Sequence, residues 1–170
     1  MIIGIDAGCL GVKDEQLKTG VYKVAFNLLK ALGKIDKKNE YRLYSFYPIG
    51  KKVMKSFGKR MKNFVLKPKK GWFTLRLALE LKIHPVNVFL GISQAIPFST
   101  SHNILLVFDI GFEYYPEFYP QSFKRLSRNT KNGVKRAEKI IAVSESTKKD
   151  LIKLYNVSEE KIKVCYLGVL

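Results

Sequence analysis

Short β-branched runs alternate with amphipathic stretches along the whole chain. Residues 2–6 (IIGID) read as a buried first strand. Val21, Ala25, Leu28, Leu29 and Leu32 then recur at helical spacing, and Gly33 is placed to stop that helix. Residues 40–47 (EYRLYSFY) alternate and are rich in aromatics, which predicts a second strand. Met54, Phe57 and Met61 suggest a short basic helix that Gly58 weakens, with a third strand at 63–66. Helical composition at 72–82 is followed by buried strands at 86–90 and 104–108. Beyond Pro116 and Pro120, a helix over 122–138 buries Phe123, Leu126, Thr130, Val134 and Ala137. A strand at 139–143 leads to Ser144, whose hydroxyl is placed to cap a helix running to about Leu154, and a last strand covers 161–166.

Strands alternating with helices predict an α/β, Rossmann-like domain of three layers, with helices on both faces of a mostly parallel twisted sheet. Such sheets bind ligands at the carboxyl ends of their strands. The residues of interest are therefore Asp6-Ala7-Gly8, Gly91-Ile92-Ser93-Gln94, Asp109-Ile110-Gly111 and Ser144 to Thr147. A chain of 170 residues fits one domain, 1–170.

Charge changes this picture more than composition does. The 31 Lys and Arg against 14 Asp and Glu give +17. Residues 51–70 hold nine of the cations and no acid, and the helix at 122–138 carries six more. This excess suits a polyanion (nucleic acid, anionic lipid or a phosphorylated substrate), or else a lysine-rich solvated surface. On the basic helices, membrane contact would be electrostatic and salt-sensitive rather than insertive, because their apolar faces are needed by the core. Nucleic acid has charge as its one argument, with no recognised binding signature. No apolar run reaches the roughly 18 residues of a membrane span. Cys9 and Cys165 form neither a disulfide framework nor a metal cluster, which leads us to expect reduced thiols in a cytoplasmic protein.

The candidate chemistry sits at the strand ends. Gly20 opens the first long helix, where N–H groups bind phosphate well, although it also fits a plain loop glycine. Neither G-x-G-x-x-G nor G-x-x-x-x-G-K-[ST] occurs, which argues against an ordinary dehydrogenase and a P-loop enzyme. Asp109 could orient a hydroxyl substrate or act as a base, or could cap a turn. Glu113 and Glu117 lie among Tyr114, Tyr115, Phe118 and Tyr119, a loop that suits sugar binding or packing against another domain. His84 and His102 lie away from the strand ends, and no Ser/His/Asp arrangement or metal site stands out.

Three stretches carry a resemblance: IGIDA at 3–7 with TGVYKVAFNLLKAL at 19–32; VFLGISQAIPF at 88–98 with ILLVFDIGFEYYPEFYP at 104–120; and RAEKIIAVSESTKKDLIKLYNVSEEKIKVCYLGV at 136–169. Together they resemble the N-terminal, acceptor-binding domain of the group 1 (family 4) retaining glycosyltransferases, which have the two-Rossmann-domain GT-B fold. The resemblance implies transfer of a sugar from a nucleotide-sugar donor to a glycan or lipid-linked acceptor, without a further cofactor. It implies that Gly20 approaches the donor diphosphate and that Asp109 belongs to the catalytic pair. Ser144, Ser146 and Thr147 match a serine-rich turn facing the cleft. Phe108 stands where many relatives carry a histidine, and phenylalanine can form no such hydrogen bond. Ser93, Gln94 and Glu113 complete the expected acceptor cleft.

The family's C-terminal domain holds the donor and a pair of glutamates separated by seven residues. No two glutamates here are eight positions apart. We therefore expect the donor domain to be absent and the chain to be inactive alone. The other expected roles are those of a stand-alone module that binds a membrane surface, a separate donor-domain partner or a second copy of itself.

Overall fold

The computed structural model describes residues 1–12, 18, 20–99 and 101–168. Seven strands, β1 (Ile2–Asp6), β2 (Glu40–Ser45), β3 (Met61–Val65), β4 (Val88–Gly91), β5 (His102–Val107), β6 (Lys139–Ala142) and β7 (Ile162–Val164), form one sheet. Their order is β3-β2-β1-β4-β5-β6-β7, and every pairing is parallel. The architecture is the expected α/β Rossmann-like one. Parallel strands need long crossovers, and here helices supply most of them.

The helices are α1 (Gly20–Ile35), α2 (Lys51–Phe57), α3 (Leu77–Ile83), the single turn α4 (Gly111–Tyr114), α5 (Phe123–Arg136) and α6 (Glu145–Tyr155). A π-helical turn, Trp72–Arg76, runs directly into α3. Two apolar clusters lie against the sheet. One packs Tyr22, Ala25 and Leu29 of α1 and Phe57 of α2 against Ile5 and Leu43. The other packs Leu77 and Leu81 of α3, Val134 of α5 and Leu151 of α6 against Phe89, Leu105 and Ile140. Each fully buried Leu or Phe contributes roughly 1.5–3 kcal/mol of transfer free energy, so the pattern that predicts the elements also holds them together.

Two expectations change. Gly33 does not end α1, which continues to Ile35. A Cβ at Gly33 would lie 1.9 Å from the Phe57 carbonyl oxygen, so the glycine is there to let the end of α2 approach. The helix on Met54, Phe57 and Met61 stops at Phe57, where Gly58 takes φ +92°, and Met61 instead opens β3. The spacing of these three residues was thus a coincidence across an element boundary. The predicted ends of the other strands and helices shift by one or two residues.

Candidate functional site

The strand order reverses between β1 and β4. At such a point the loops leaving neighbouring strands diverge and open a crevice at the carboxyl rim. Here the crevice is a cavity of about 540 Å³. Asp6 and Gly8 reach it from β1, Ser93 and Gln94 from β4, and Phe108 and Asp109 from β5. One wall is aromatic, with Phe46, Trp72 and Phe73. Phe112 and Tyr119 also line it, with Arg125, Asn129 and Thr130 of α5.

Asp6 is only 2% exposed. Burial pushes its carboxyl above the ordinary value, and hydrogen bonds from the Ser93 hydroxyl and the Gly8 and Ser93 amides oppose that shift in part. The Gly8 N–H donates to Asp6 Oδ1 at 3.1 Å. Burial, reinforced by the nearby Asp6 charge, pushes the Cys9 thiol up to about 12. Cys9 is therefore a neutral wall residue rather than a nucleophile.

Gln94 ties two rims together. Its side-chain oxygen accepts the backbone N–H of Phe108 at 2.8 Å and of Asp109 at 3.3 Å. Its own backbone is left-handed, at φ 55°. The loop it belongs to folds back tightly: a Cβ on Gly91 would sit 2.2 Å from the Ala95 carbonyl oxygen. Only glycine at the end of β4 permits that return.

Asp109 takes the turn-capping role that the sequence offered as one alternative. Its Oδ1 accepts the Gly111 N–H at 3.0 Å and so caps a turn. Its side chain is also exposed and lines the cavity. Gly20 is the exposed first residue of α1; a Cβ there would meet nothing within 4 Å, and the next residue, Val21, lies on the cavity wall.

The remaining expected cleft residues lie elsewhere. Ser144 caps α6, its Oγ accepting the Thr147 N–H at 3.0 Å. Thr147 Oγ1 donates to the Phe108 carbonyl at 2.8 Å, which locks the turn to the end of β5. Neither residue lines the cavity, and nor does the exposed Ser146. Glu113 accepts the Tyr155 hydroxyl at 2.7 Å, joining α4 to α6. His84 pairs with Glu80 at 3.0 Å and His102 with Glu138 at 2.9 Å, both away from the carboxyl rim. Among the described residues, no group of three or more His, Cys, Asp or Glu is placed to hold a metal.

Sequence reasoning gave no site role to Trp72, Phe73 or Asn129 and placed Thr130 in the core face of its helix, because helix-borne residues reach the rim only through packing. Two of them carry buried polar atoms, Trp72 Nε1 and Thr130 Oγ1, without a hydrogen-bond partner among the described residues. Asp6 was named among the strand-end residues, as it ends β1 much as Asp109 follows β5, but without a role of its own.

Comparison with known proteins agrees with this fold. HepE of Anabaena, crystallised with UDP and glucose, matches the fold with a TM-score of 0.60 at 16% identity, over 99% of this chain and 44% of HepE. Its complex with UDP-glucose gives 0.60 at 17%, with the same coverage. The chain thus spans less than half the length of HepE. No curated protein matches the chain. Residues 94–169, from Gln94 at the rim through α5, β6 and α6, match the model of Glycosyltransferase Family 4. This match over the C-terminal part of the chain and the parallel α/β fold agree in pointing to a glycosyltransferase domain.

Proposed function

We propose that this chain forms the acceptor-binding half of a retaining glycosyltransferase, which moves a sugar from a nucleotide sugar to a glycan or lipid-linked acceptor. The observation that carries this reading is the cavity of about 540 Å³ at the switch point, which is lined by aromatic side chains together with Asp6, Gln94, Asp109 and Asn129. Aromatic faces cover the apolar faces of a sugar ring, and carboxylates and amides bond its hydroxyls. Buried Trp72 Nε1 and Thr130 Oγ1 would gain partners from acceptor hydroxyls, offsetting part of the roughly 1–3 kcal/mol each costs unpaired.

Asp109 orients the reacting hydroxyl. The N-terminus of α1 at Gly20 faces the donor diphosphate, where first-turn N–H groups favour negative charge. HepE binds UDP and UDP-glucose, which supports a nucleotide-sugar donor for this chain. Ser93 and Gln94 hold the acceptor side of the cleft. Tyr115 and Phe118, 57% and 76% exposed beside the rim, meet the donor domain. The chain works in the cytoplasm, its two cysteines unpaired.

In such a transfer the protein supplies orientation and stabilises charge on the leaving diphosphate. One wall alone does neither fully. The purified 170-residue chain, assayed with a panel of nucleotide sugars and glycan acceptors, is expected to show no transfer. Sustained turnover would overturn the two-wall reading.

A further inference from the structure

The first turn of α5 is charged against its own dipole. Helices favour acids at their N-terminal end, where the N–H groups carry partial positive charge, and a cation there costs stability. In α5 that turn holds Lys124 and Arg125 and no acid, and the Ser122 side chain makes no capping hydrogen bond. No acid occurs anywhere from Phe118 to Ala137. Arg125 is exposed and has neither an ion pair nor a hydrogen bond among the described residues. It lines the cavity of about 540 Å³, as do Leu126, Asn129 and Thr130, and Asn129 follows it one turn along the same helix. The fold gains nothing from a cation at this position, whereas a bound anion would offset it.

The hydrogen-bonding groups on the cavity argue the same way. Its acceptors are largely engaged within the protein: Asp6 Oδ1 takes the Gly8 N–H, Asp109 Oδ1 the Gly111 N–H, and Gln94 Oε1 the N–H groups of Phe108 and Asp109. Its donors are not. Trp72 and Thr130, 6% and 1% exposed, keep an indole N–H and a hydroxyl without a partner among the described residues. The Arg125 guanidinium can only donate. A sugar hydroxyl brings a donor along with its lone pairs, whereas a carboxylate or phosphate brings acceptors alone. Asp6 and Asp109 are the acids on the cavity among the described residues. Burial pushes the Asp6 carboxyl up, toward its neutral form, and the six cations of α5 keep the field positive at that end.

We propose that the acceptor carries an oxyanion, a carboxylate or a phosphate ester on its sugar, and that Arg125 with Asn129 recognises it. A guanidinium pairs with two oxygens of such a group at once, and the Asn129 amide adds a further donor. The reacting hydroxyl is left to Asp109. Arg125 therefore selects among acceptors and takes no part in the transfer itself. The inference rests on the cavity being the acceptor site, and gives that acceptor a chemical class.

Titration of the isotopically labelled chain with methyl glucoside, methyl glucuronide and glucose-6-phosphate, followed by nuclear magnetic resonance, tests this. At least one charged probe should bind about tenfold more tightly than the neutral one, and should move the Arg125 Nε–H and the Asn129 side-chain amide. The tighter of the two tells carboxylate from phosphate. Arg125→Gln should bring the charged probes down to the affinity of the neutral one, and should melt no lower than the parent because it relieves the helix dipole. Arg128→Gln removes the same charge from the same helix outside the cavity and should keep the preference. Equal loss in Arg128→Gln would overturn the proposal, since the preference would then belong to the general field. Equal affinity for neutral and charged probes would also overturn it, yet leaves the acceptor site standing if the neutral glucoside still moves Gly8 and Gln94. No shift at the cavity with any probe would overturn both this inference and the proposed function.

Discussion

The side-chain oxygen of Gln94 receives the backbone N–H of Phe108 at 2.8 Å and so fastens the loop after β4 to the end of β5. Gln94→Ala leaves that half-buried N–H unpaired. The expected cost is about 1–3 kcal/mol, read as a melting temperature lowered by roughly 3–10 °C. Gln94→Glu keeps an acceptor oxygen in place and should lose less. Equal melting of Gln94→Ala and the parent would show that the two rims hold together without this bond.

Asp6 predicts a pH dependence of definite sign. Burial raises its folded pKa above the unfolded value near 4. Between those two values the folded chain keeps a proton that the unfolded chain has released, so stability falls as pH rises through that window. The fall ends above the folded pKa. Asp36 and Glu159 are shifted downward by their hydrogen bonds and contribute the opposite trend, losing stability as pH falls. Subtracting the unfolding free energy of Asp6→Asn from that of the parent, pH by pH, isolates Asp6. The difference should become less favourable to the parent as pH rises from about 4, and a flat difference would remove the burial argument.

The two thiols should react unequally. Cys165 is exposed, whereas burial holds the Cys9 thiol near 12. At mild alkaline pH a disulfide reagent should modify one thiol quickly and the second only on unfolding. Mass spectrometry of the fast adduct should locate it at Cys165.

The return of the chain after β4 is the tightest packing at the rim. Gly91→Ala drives a Cβ to 2.2 Å from the Ala95 carbonyl oxygen. Overpacking typically costs about 1–3 kcal/mol, and backbone is harder to displace than a side chain. We expect thermal melting to fall by at least several degrees. An unchanged melt would mean that the loop has room to move.

Sequence made the sheet legible because its strands are short β-branched runs with helical periods between them. It also made the rim legible: Asp6 ends β1, Ser93, Gln94 and Asp109 come shortly after β4 and β5, and all line the cavity. Less legible was anything that depends on packing between distant elements. Gly33 resembles a helix stop, yet it serves a contact with Phe57 that lies 24 residues away. Ser144 and Thr147 were legible as a cap, but the bond from Thr147 to the Phe108 carbonyl arises only when α6 docks on β5. The aromatic wall was invisible for the same reason. Trp72 and Phe73 look like ordinary core residues of a helix, and only the tertiary fold turns them toward Asp6 and Gln94.

Amide-resolved nuclear magnetic resonance, with simple glycosides added to the labelled chain at millimolar concentration, tests the assignment of the cavity most directly. Shifts should concentrate at Gly8, Ser93, Gln94, Asp109 and Asn129, together with the Trp72 indole N–H, and should shrink in Asp109→Asn. Shifts confined to another surface, or glycoside binding that leaves these signals still, would contradict an acceptor site at the switch point of the sheet.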